Sequence, residues 1–296
     1  MANPTTIPKI QNTVKWHHKL IALPLQGMSA LNLGPLGGEN SISTVIEAVL
    51  AKKKGQTIDF ELSKSDHFFV QQLTKAGLPD EMIEYRELNH LAQEEIWRRW
   101  GHQNLGVVWV GAGVFTLTHP LLAQRKQSDW HFWTDASPKI VADARQAFQE
   151  IHQKMAVDLA QSVRLPQDFN QLNHAIRLVA PHVSHLVFNG YGVTYALTAS
   201  ENYEWLSKLV LPPGLDVSFI FNSPGQALPT LPAVMAAFHR QRMMYYKRED
   251  IEGLFAAAVP GSRIVWSKPR LETRNKIWET WIIHAPADAR GQFKGS

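Results

Sequence analysis

The chain has 296 residues, enough for one large domain or two modest ones, and its composition of 45% hydrophobic and 19% charged residues is that of a soluble globular protein. It holds no cysteine, which excludes disulfides, thiolate metal sites and a cysteine nucleophile. The formal net charge of +4 comes from scattered basic residues rather than a nucleic-acid-binding patch, and no stretch is long and apolar enough to span a bilayer.

The segment Met1–Pro8 lacks the apolar core of a secretory leader, so the cytoplasm is the expected compartment. Residues 1–104 read as a helical and irregular amino-terminal cap or lid. Glu39-Asn40-Ser41 leads into Ile42, Val45, Ile46, Val49 and Leu50, apolar positions at helical spacing. Lys52-Lys53-Lys54 before Gly55 suits a helix end, where cations complement the helix dipole. A second amphipathic run covers His67 to Ala76. A long helix is expected from about Glu81 to Trp100, with Asp80 as N-cap and Gly101 as stop. Gly34-Pro35-Leu36-Gly37-Gly38 reads as a loop and a candidate hinge.

From residue 105 onward, strands and helices alternate. The pattern predicts strand 105–111, helix 118–127 with Thr118 as cap and Pro120 in the first turn, and strand 130–135. Helix 138–160 follows, capped by Ser137, and then the apolar-acid segment Val163–Phe169. Strand 184–189, helix 200–210, strand 215–221 and helix 248–258 come next. Segments 263–267 and 277–284 read as an antiparallel hairpin. This order predicts an α/β domain over 105–296, with a Rossmann-like seven-stranded mixed sheet closed by the hairpin.

Two features within that domain carry chemistry. Val110-Gly111-Ala112-Gly113 ends the first apolar run, and about twenty residues later Trp130–Asp135 ends the second on a carboxylate. The glycines allow the backbone to approach a ligand, and the acid lies where a ribose diol would sit. Leaving such a carboxylate desolvated and unpaired would cost on the order of several kcal/mol, so it needs donors. Two ribose hydroxyls would supply them; capping the next helix is the plainer alternative, although Ser137 is better placed for that. Asp168-Phe169, past the third expected strand, suits an adenine amino group and ring, or is an ordinary loop acid.

A dinucleotide or S-adenosylmethionine would fit this half-unit. A dinucleotide site wants a third small residue where the chain has Thr116, beside the bulky Phe115. A doubly wound dehydrogenase would also continue its βα repeats instead of closing in a hairpin. Both points favour the methyl donor.

On these residues the chain resembles the leucine carboxyl methyltransferase family, which includes polyketide and other small-molecule O-methyltransferases. The resemblance covers roughly residues 105–284. It rests on Gly111-Ala112-Gly113, on the aromatic strand ending in Asp135-Ala136-Ser137-Pro138, on Asp168-Phe169, and on the run from Gly190 to Thr198. It implies a class I methyltransferase fold with a helical amino-terminal cap. It also implies S-adenosylmethionine contacts at Gly111, Gly113, Asp135, Asp168 and Phe169, with Ala112, Ala136, Asn189 and Gly190 completing the candidate set. Two positions depart from the family pattern. Phe115-Thr116-Leu117 replaces an Asp-Thr-Arg sequence, and no acid stands at the family's Glu-Gly, whether that falls on Asn189-Gly190 or Tyr191-Gly192.

The expected activity is methyl transfer to an oxygen (carboxylate or hydroxyl), or to a nitrogen, of a small molecule. Alignment and exclusion of water would supply most of the catalysis. Tyr191 and Tyr195 are the candidate proton acceptors if the acceptor starts protonated. Trp97, Trp100, Trp109, Trp130 and Trp133 crowd this half of the chain and suit an aromatic or apolar acceptor. No histidine or carboxylate cluster has metal-ligand spacing and no Gly-x-Ser-x-Gly elbow occurs, so neither a metal nor serine hydrolysis is expected. Two alternatives stay open: a non-catalytic protein of this fold that binds a nucleoside or a protein partner, and a nicotinamide dehydrogenase.

Overall fold

Seven segments between residues 105 and 285 become the strands of one sheet. They are β1 (Leu105–Trp109), β2 (Trp130–Asp135), β3 (Leu159–Ser162), β4 (His185–Asn189), β5 (Asp216–Pro224), β6 (Arg263–Pro269) and β7 (Trp278–Ala285). The computed structural model describes residues 7–8, 10–20, 22–23, 79–112, 119–151, 159–225, 242–269 and 278–287. The strand order is β3-β2-β1-β4-β5-β7-β6. The first five strands are mutually parallel, and β7 runs antiparallel between β5 and β6. This is the mixed sheet of the class I methyltransferase-type Rossmann-like fold, with the closing hairpin where the alternation places it.

Alternate side chains on each strand serve two cores. Val108 and Val110 of the first strand region join Phe132, Leu186, Phe188, Phe219 and Ile283 on one face. Leu105, Val107 and Trp109 join Trp133, Val187, Ile220 and Ile282 on the other. Helices cover both faces. On the first face lie α4 (Phe169–Val179), α5 (Ala199–Ser207) and α6 (Arg248–Ala258). On the second lie α1 (Pro79–Trp100), α2 (Pro120–Ala123) and α3 (Pro138–Ile151). The apolar stripe of α4, Leu172, Ala175, Ile176 and Val179, falls at the spacing of one helical face and is buried. A reciprocal capping box starts α5: Thr198 Oγ1 accepts from the Glu201 amide, and Glu201 Oε2 accepts from the Thr198 amide at 2.7 Å.

Several expectations need correction. The helix expected over 138–160 is described only to Ile151, and residues 159–162 form the edge strand β3, paired with β2 from Phe132↔Leu159 to Asp135↔Ser162. The third strand therefore directly precedes the segment Val163–Phe169. Helix α1 begins at Pro79, so Asp80 lies inside it rather than capping it. More consequentially, α1 is not part of a separate cap. Leu88, Ala92 and Ile96 are fully buried in the core shared with Val107, Trp109 and Ile282, which makes α1 a layer of the sheet domain. A boundary at residue 104 would cut through that core.

A two-residue ladder that the sequence pattern did not suggest pairs Gln11–Asn12 with Met244–Tyr245. The expected helices at 39–50 and 67–76, the Gly34–Gly38 loop, Lys52-Lys53-Lys54, Gly113 and Thr118 all lie outside the described residues.

Candidate active site

The chain leaves β1 for β2 and β3 on one side and returns to place β4 on the other, so the strand order reverses between β1 and β4. In open α/β sheets the ligand crevice lies outside the carboxyl ends of the strands at such a point. Register places Trp109, Trp133 and Asn189 side by side at that edge. The Val110 amide donates to the Asn189 carbonyl (2.9 Å), and the Ala112 amide donates to the Thr134 carbonyl (2.9 Å). Five of the expected ligand residues, Gly111, Ala112, Asp135, Asn189 and Gly190, are thereby drawn to one edge, with the exposed Ala136 beside Asp135.

Gly111 adopts a φ of 57°, the left-handed region that favours glycine. An ideal Cβ there would lie 1.9 Å from Val193 Cγ2. The absence of a side chain thus lets the loop after β4 close against the β1 turn, a packing reason that stands beside the expected ligand approach. Asp135 is half-buried, and its Oδ1 accepts from the Ser137 amide at 2.8 Å. A carboxylate offers about four acceptor positions, so this turn contact does not use up its capacity. The acid and Ser137 act together, where sequence reasoning set them against each other as caps for α3.

Asp168 and Phe169 have local partners. Asp168 Oδ2 accepts from the Arg164 amide at 2.7 Å, closing the loop that precedes α4. Phe169 opens α4 and packs on the first core, with the Lys208 ammonium 4.7 Å from its ring centroid. Lys208 ends α5 where the chain turns toward β5, which ties the Phe169 ring to that helix rather than to the strand tips.

The two candidate tyrosines lie in an aromatic cluster that α1 completes. Tyr85 of α1 packs against Tyr191 (centroids 4.6 Å), Trp278 (4.7 Å) and Tyr195 (6.3 Å). The Tyr191 hydroxyl donates to the Tyr85 carbonyl. Burial raises the Tyr85 phenol well above its usual range, with a further contribution from Tyr195. Burial also raises Tyr195, opposed by its hydrogen bond with Tyr85 and by the Arg86 charge. The Tyr85 and Tyr195 hydroxyls therefore stay protonated at neutral pH and act as donors and walls.

Sequence reasoning missed a buried chain of side-chain hydrogen bonds beneath this cluster. Asn189 Nδ2 at the β4 tip donates to Asn89 Oδ1 at 3.5 Å. Gln93 Nε2 donates to the same oxygen (3.1 Å) and lies 3.2 Å from His119 Nδ1. Gln93 Oε1 accepts from the Leu121 amide at the start of α2. With its amide oriented by Leu121, Gln93 presents a donor to His119, so Nδ1 accepts and the imidazole proton sits on Nε2. Burial, and then the charges of His90 and Arg86, hold His119 well below the usual imidazole range and keep it neutral. The available signal was modest: two amides four residues apart on a helix, flanked by the buried Leu88, Ala92 and Ile96.

Among the described residues no group of three or more His, Asp or Glu side chains is arranged to hold a metal ion, and no helix is long and apolar enough to cross a membrane.

No family model matches the chain, and no curated protein matches it. Solved structures do. A protein from Thermobifida fusca superposes with a TM-score of 0.55 at 15% identity, over 84% of this chain and 96% of that one. A DUF574 family protein from Streptomyces avermitilis gives 0.53 at 13% identity, over 84% and 98%. The magnesium protoporphyrin IX methyltransferase of Synechocystis, solved with bound S-adenosylhomocysteine, gives 0.51 at 15% identity, over 88% and 98%. At these identities the likeness is one of fold, and it agrees with the strand order: the chain has the Rossmann-like fold of class I methyltransferases.

Proposed function

We propose that the chain is an S-adenosylmethionine-dependent methyltransferase acting on an oxygen of a small molecule. The observation that carries this reading is the placement of Asp135 at the β2 tip beside the left-handed Gly111 turn, across the point where a β3-β2-β1-β4-β5-β7-β6 sheet reverses its order. Binding of S-adenosylhomocysteine by the Synechocystis relative of this fold supports the choice of cofactor.

The residues at the edge fit such a ligand. Asp135 would accept from the ribose hydroxyls, with Ala136 leaving room beside it. Ala112, Asn189 and Gly190 would line the amino-acid portion, and Gly113 is proposed to contact the cofactor as well. Asp168 and Phe169 remain proposed adenine contacts only if the loop after β3 turns toward the edge when ligand binds. S-adenosylmethionine supplies an electrophilic methyl group on a sulfonium. The protein's part is orientation and exclusion of water, for which the wall formed by Tyr85, Tyr191, Tyr195 and Trp278 is suited. Because burial holds its phenol protonated, Tyr195 orients an acceptor rather than removes its proton, and Tyr191, whose hydroxyl donates to the Tyr85 carbonyl, is proposed to do the same.

Isothermal titration with S-adenosylmethionine, followed by transfer of a labelled methyl group to a panel of hydroxy and carboxylic acids, tests the proposal. Saturable binding with an O-methylated product is the expected result. Binding without product would favour the non-catalytic alternative, and binding of NADH instead would favour a dehydrogenase.

A further inference from the structure

Asn222 of β5 and Thr280 of β7 stand opposite one another in the antiparallel β5–β7 pair, and both are fully buried. Side chains so placed have Cβ atoms about 5 Å apart on one face of the sheet. Two residues away along their strands lie Ile220, Ile282 and Trp278, members of the core that α1 covers. The polar pair therefore interrupts an apolar face. Asn222 Oδ1 is occupied: it accepts from the Gly192 amide (3.4 Å) and from the Thr194 hydroxyl (3.3 Å). The Gly192 amide can only donate, which fixes the orientation of the Asn222 side chain and turns Nδ2 away from that loop. Among the described residues neither Asn222 Nδ2 nor Thr280 Oγ1 has a hydrogen-bond partner. Buried polar groups left in this state weaken a fold, and two on neighbouring strands point to a third group that joins them.

The pair stands at the carboxyl edge. Asn189 ends β4 beside Ile220, so Asn222 lies two residues, about 7 Å, past the β4 tip. Three strand spacings, about 14 Å, separate β5 from β2, which carries Asp135, and β4 lies between them. Tyr85 links the pair to the aromatic wall. Its ring packs on Trp278 (4.7 Å between centroids), two residues before Thr280, and its hydroxyl oxygen lies 2.9 Å from the point where a side chain on Gly192 would begin. We propose that Asn222 and Thr280 are the polar end of the methyl-acceptor subsite and take one uncharged oxygen, hydroxyl or carbonyl, of a flat aromatic molecule. This rests on reading the carboxyl edge as a methyltransferase crevice, and it names the acceptor class. Nδ2 donates to that oxygen, and the Thr280 hydroxyl donates or accepts according to the group. The rings of Tyr85, Tyr195 and Trp278 cover the aromatic body. Neither Asn222 nor Thr280 carries a charge to offset the desolvation of a carboxylate, so the subsite selects a neutral group. Since both atoms are covered, the ligand enters as the Tyr85 ring turns aside.

Equilibrium dialysis of the full chain against four naphthyl probes tests the subsite: 2-naphthol, 2-acetonaphthone, naphthalene, which lacks the oxygen, and 2-naphthoate, which is charged. Thr280→Val removes the hydroxyl at nearly constant shape, and Thr280→Ser retains it. Asn222→Asp keeps Oδ1 for the Gly192 amide but removes the Nδ2 donor. Wild type should bind 2-naphthol and 2-acetonaphthone about tenfold or more tightly than naphthalene or 2-naphthoate. Thr280→Val should lose this preference for 2-naphthol, and Asn222→Asp should lose it for 2-acetonaphthone, whose carbonyl can only accept. Thr280→Ser should keep both. Naphthalene should bind Thr280→Val as it binds wild type, and the melting temperature of that variant should hold or rise, because an unpaired buried hydroxyl has gone. A preference that is absent from wild type, or that survives in folded Thr280→Val and Asn222→Asp, overturns the subsite, as does failure to bind any probe. A lower melting temperature for Thr280→Val with its preference intact assigns the pair to a bridging water and overturns it too. S-adenosylhomocysteine, titrated in parallel, should bind wild type and Thr280→Val equally. If it binds neither while the variants lose the probe preference, the methyltransferase reading fails and the subsite stands; if it binds and wild type shows no preference, the reverse holds. Thr280→Val keeps the test decisive should Asn222→Asp not fold.

Discussion

Val193 Cγ2 lies 1.9 Å from the point at which a side chain on Gly111 would begin. The turn after β1 and the loop after β4, eighty-two positions apart (193 minus 111), are therefore in contact through a missing methyl group. Gly111→Ala should destabilise the protein by about 2–4 kcal/mol, combining the left-handed backbone cost with overpacking. Denaturant titration measures it. Adding Val193→Ala should recover the overpacking part and leave the backbone part, and full additivity of the two changes would show that they do not touch.

Asp135→Asn keeps an oxygen for the Ser137 amide and removes the negative charge. S-adenosylmethionine affinity should fall by about 1–3 kcal/mol, the scale of a charge-assisted hydrogen bond, with little change in melting temperature. Wild-type affinity in calorimetry would refute the ribose assignment.

Tyr195→Phe should change the methyl-transfer rate less than about tenfold, because a phenol that burial holds protonated contributes orientation rather than proton removal. The pH–rate profile of the variant should match wild type between neutrality and pH 9. Loss of a basic-limb ionisation in the variant would restore Tyr195 as a base.

His185 is buried at the opposite, amino-terminal edge of the sheet. Its Nε2 lies 2.9 Å from Ser218 Oγ, which in turn lies 3.2 Å from His284 Nδ1, and Trp100 packs against both rings. Burial, followed by the His284 charge, lowers the His185 pKa from 6.5 to about 3. Between those values the unfolded chain binds a proton and the folded chain does not. Stability contributed by the neutral ring is thus complete above pH 6.5 and falls as pH drops toward 3, by up to about 1.4 kcal/mol per unit. Unfolding midpoints across this range should show the slope, and His185→Gln should flatten it.

Asn202 is fully buried and ties the turn carrying Tyr195 to the core: Nδ2 donates to the Thr194 carbonyl (2.8 Å) and Tyr246 Oη (2.7 Å), and Oδ1 accepts from Trp205 Nε1 (3.0 Å). Asn202→Leu strands the Thr194 carbonyl and Trp205 Nε1, while Tyr246 Oη keeps its bond to the Leu197 carbonyl (2.9 Å), and should cost about 3 kcal/mol, since each unsatisfied buried group costs about 1–3 kcal/mol. Chemical unfolding reports the loss, and a drop in cofactor affinity would accompany it if the turn shapes the crevice.

Most strands were legible because a parallel strand buried on both faces reads as an unbroken apolar run, as in Val107-Val108-Trp109 and Leu186-Val187-Phe188. The edge strand Leu159-Ala160-Gln161-Ser162 has no such run and merged with the preceding helix pattern. For α1, the sequence shows an apolar face but not what that face packs on, so a sheet layer was taken for a cap. The glycine turn and Asp135 stood out as local patterns of residues near in sequence. The Gln93–His119 and Asn89–Asn189 contacts join residues 26 and 100 positions apart, and nothing local marks either partner.

The insertion of β7 between β5 and β6 has a consequence for biosynthesis. The last of the seven sheet strands to be synthesised occupies an interior position, with Trp281 and Ile282 fully buried. Until residue 285 emerges, β5 presents an open hydrogen-bonding border and β6 has nothing to join. A nascent chain arrested at residue 277 should consequently associate with chaperones or be degraded, whatever the integrity of its ligand crevice, so the integrity of the whole sheet is checked only once residue 285 has been made.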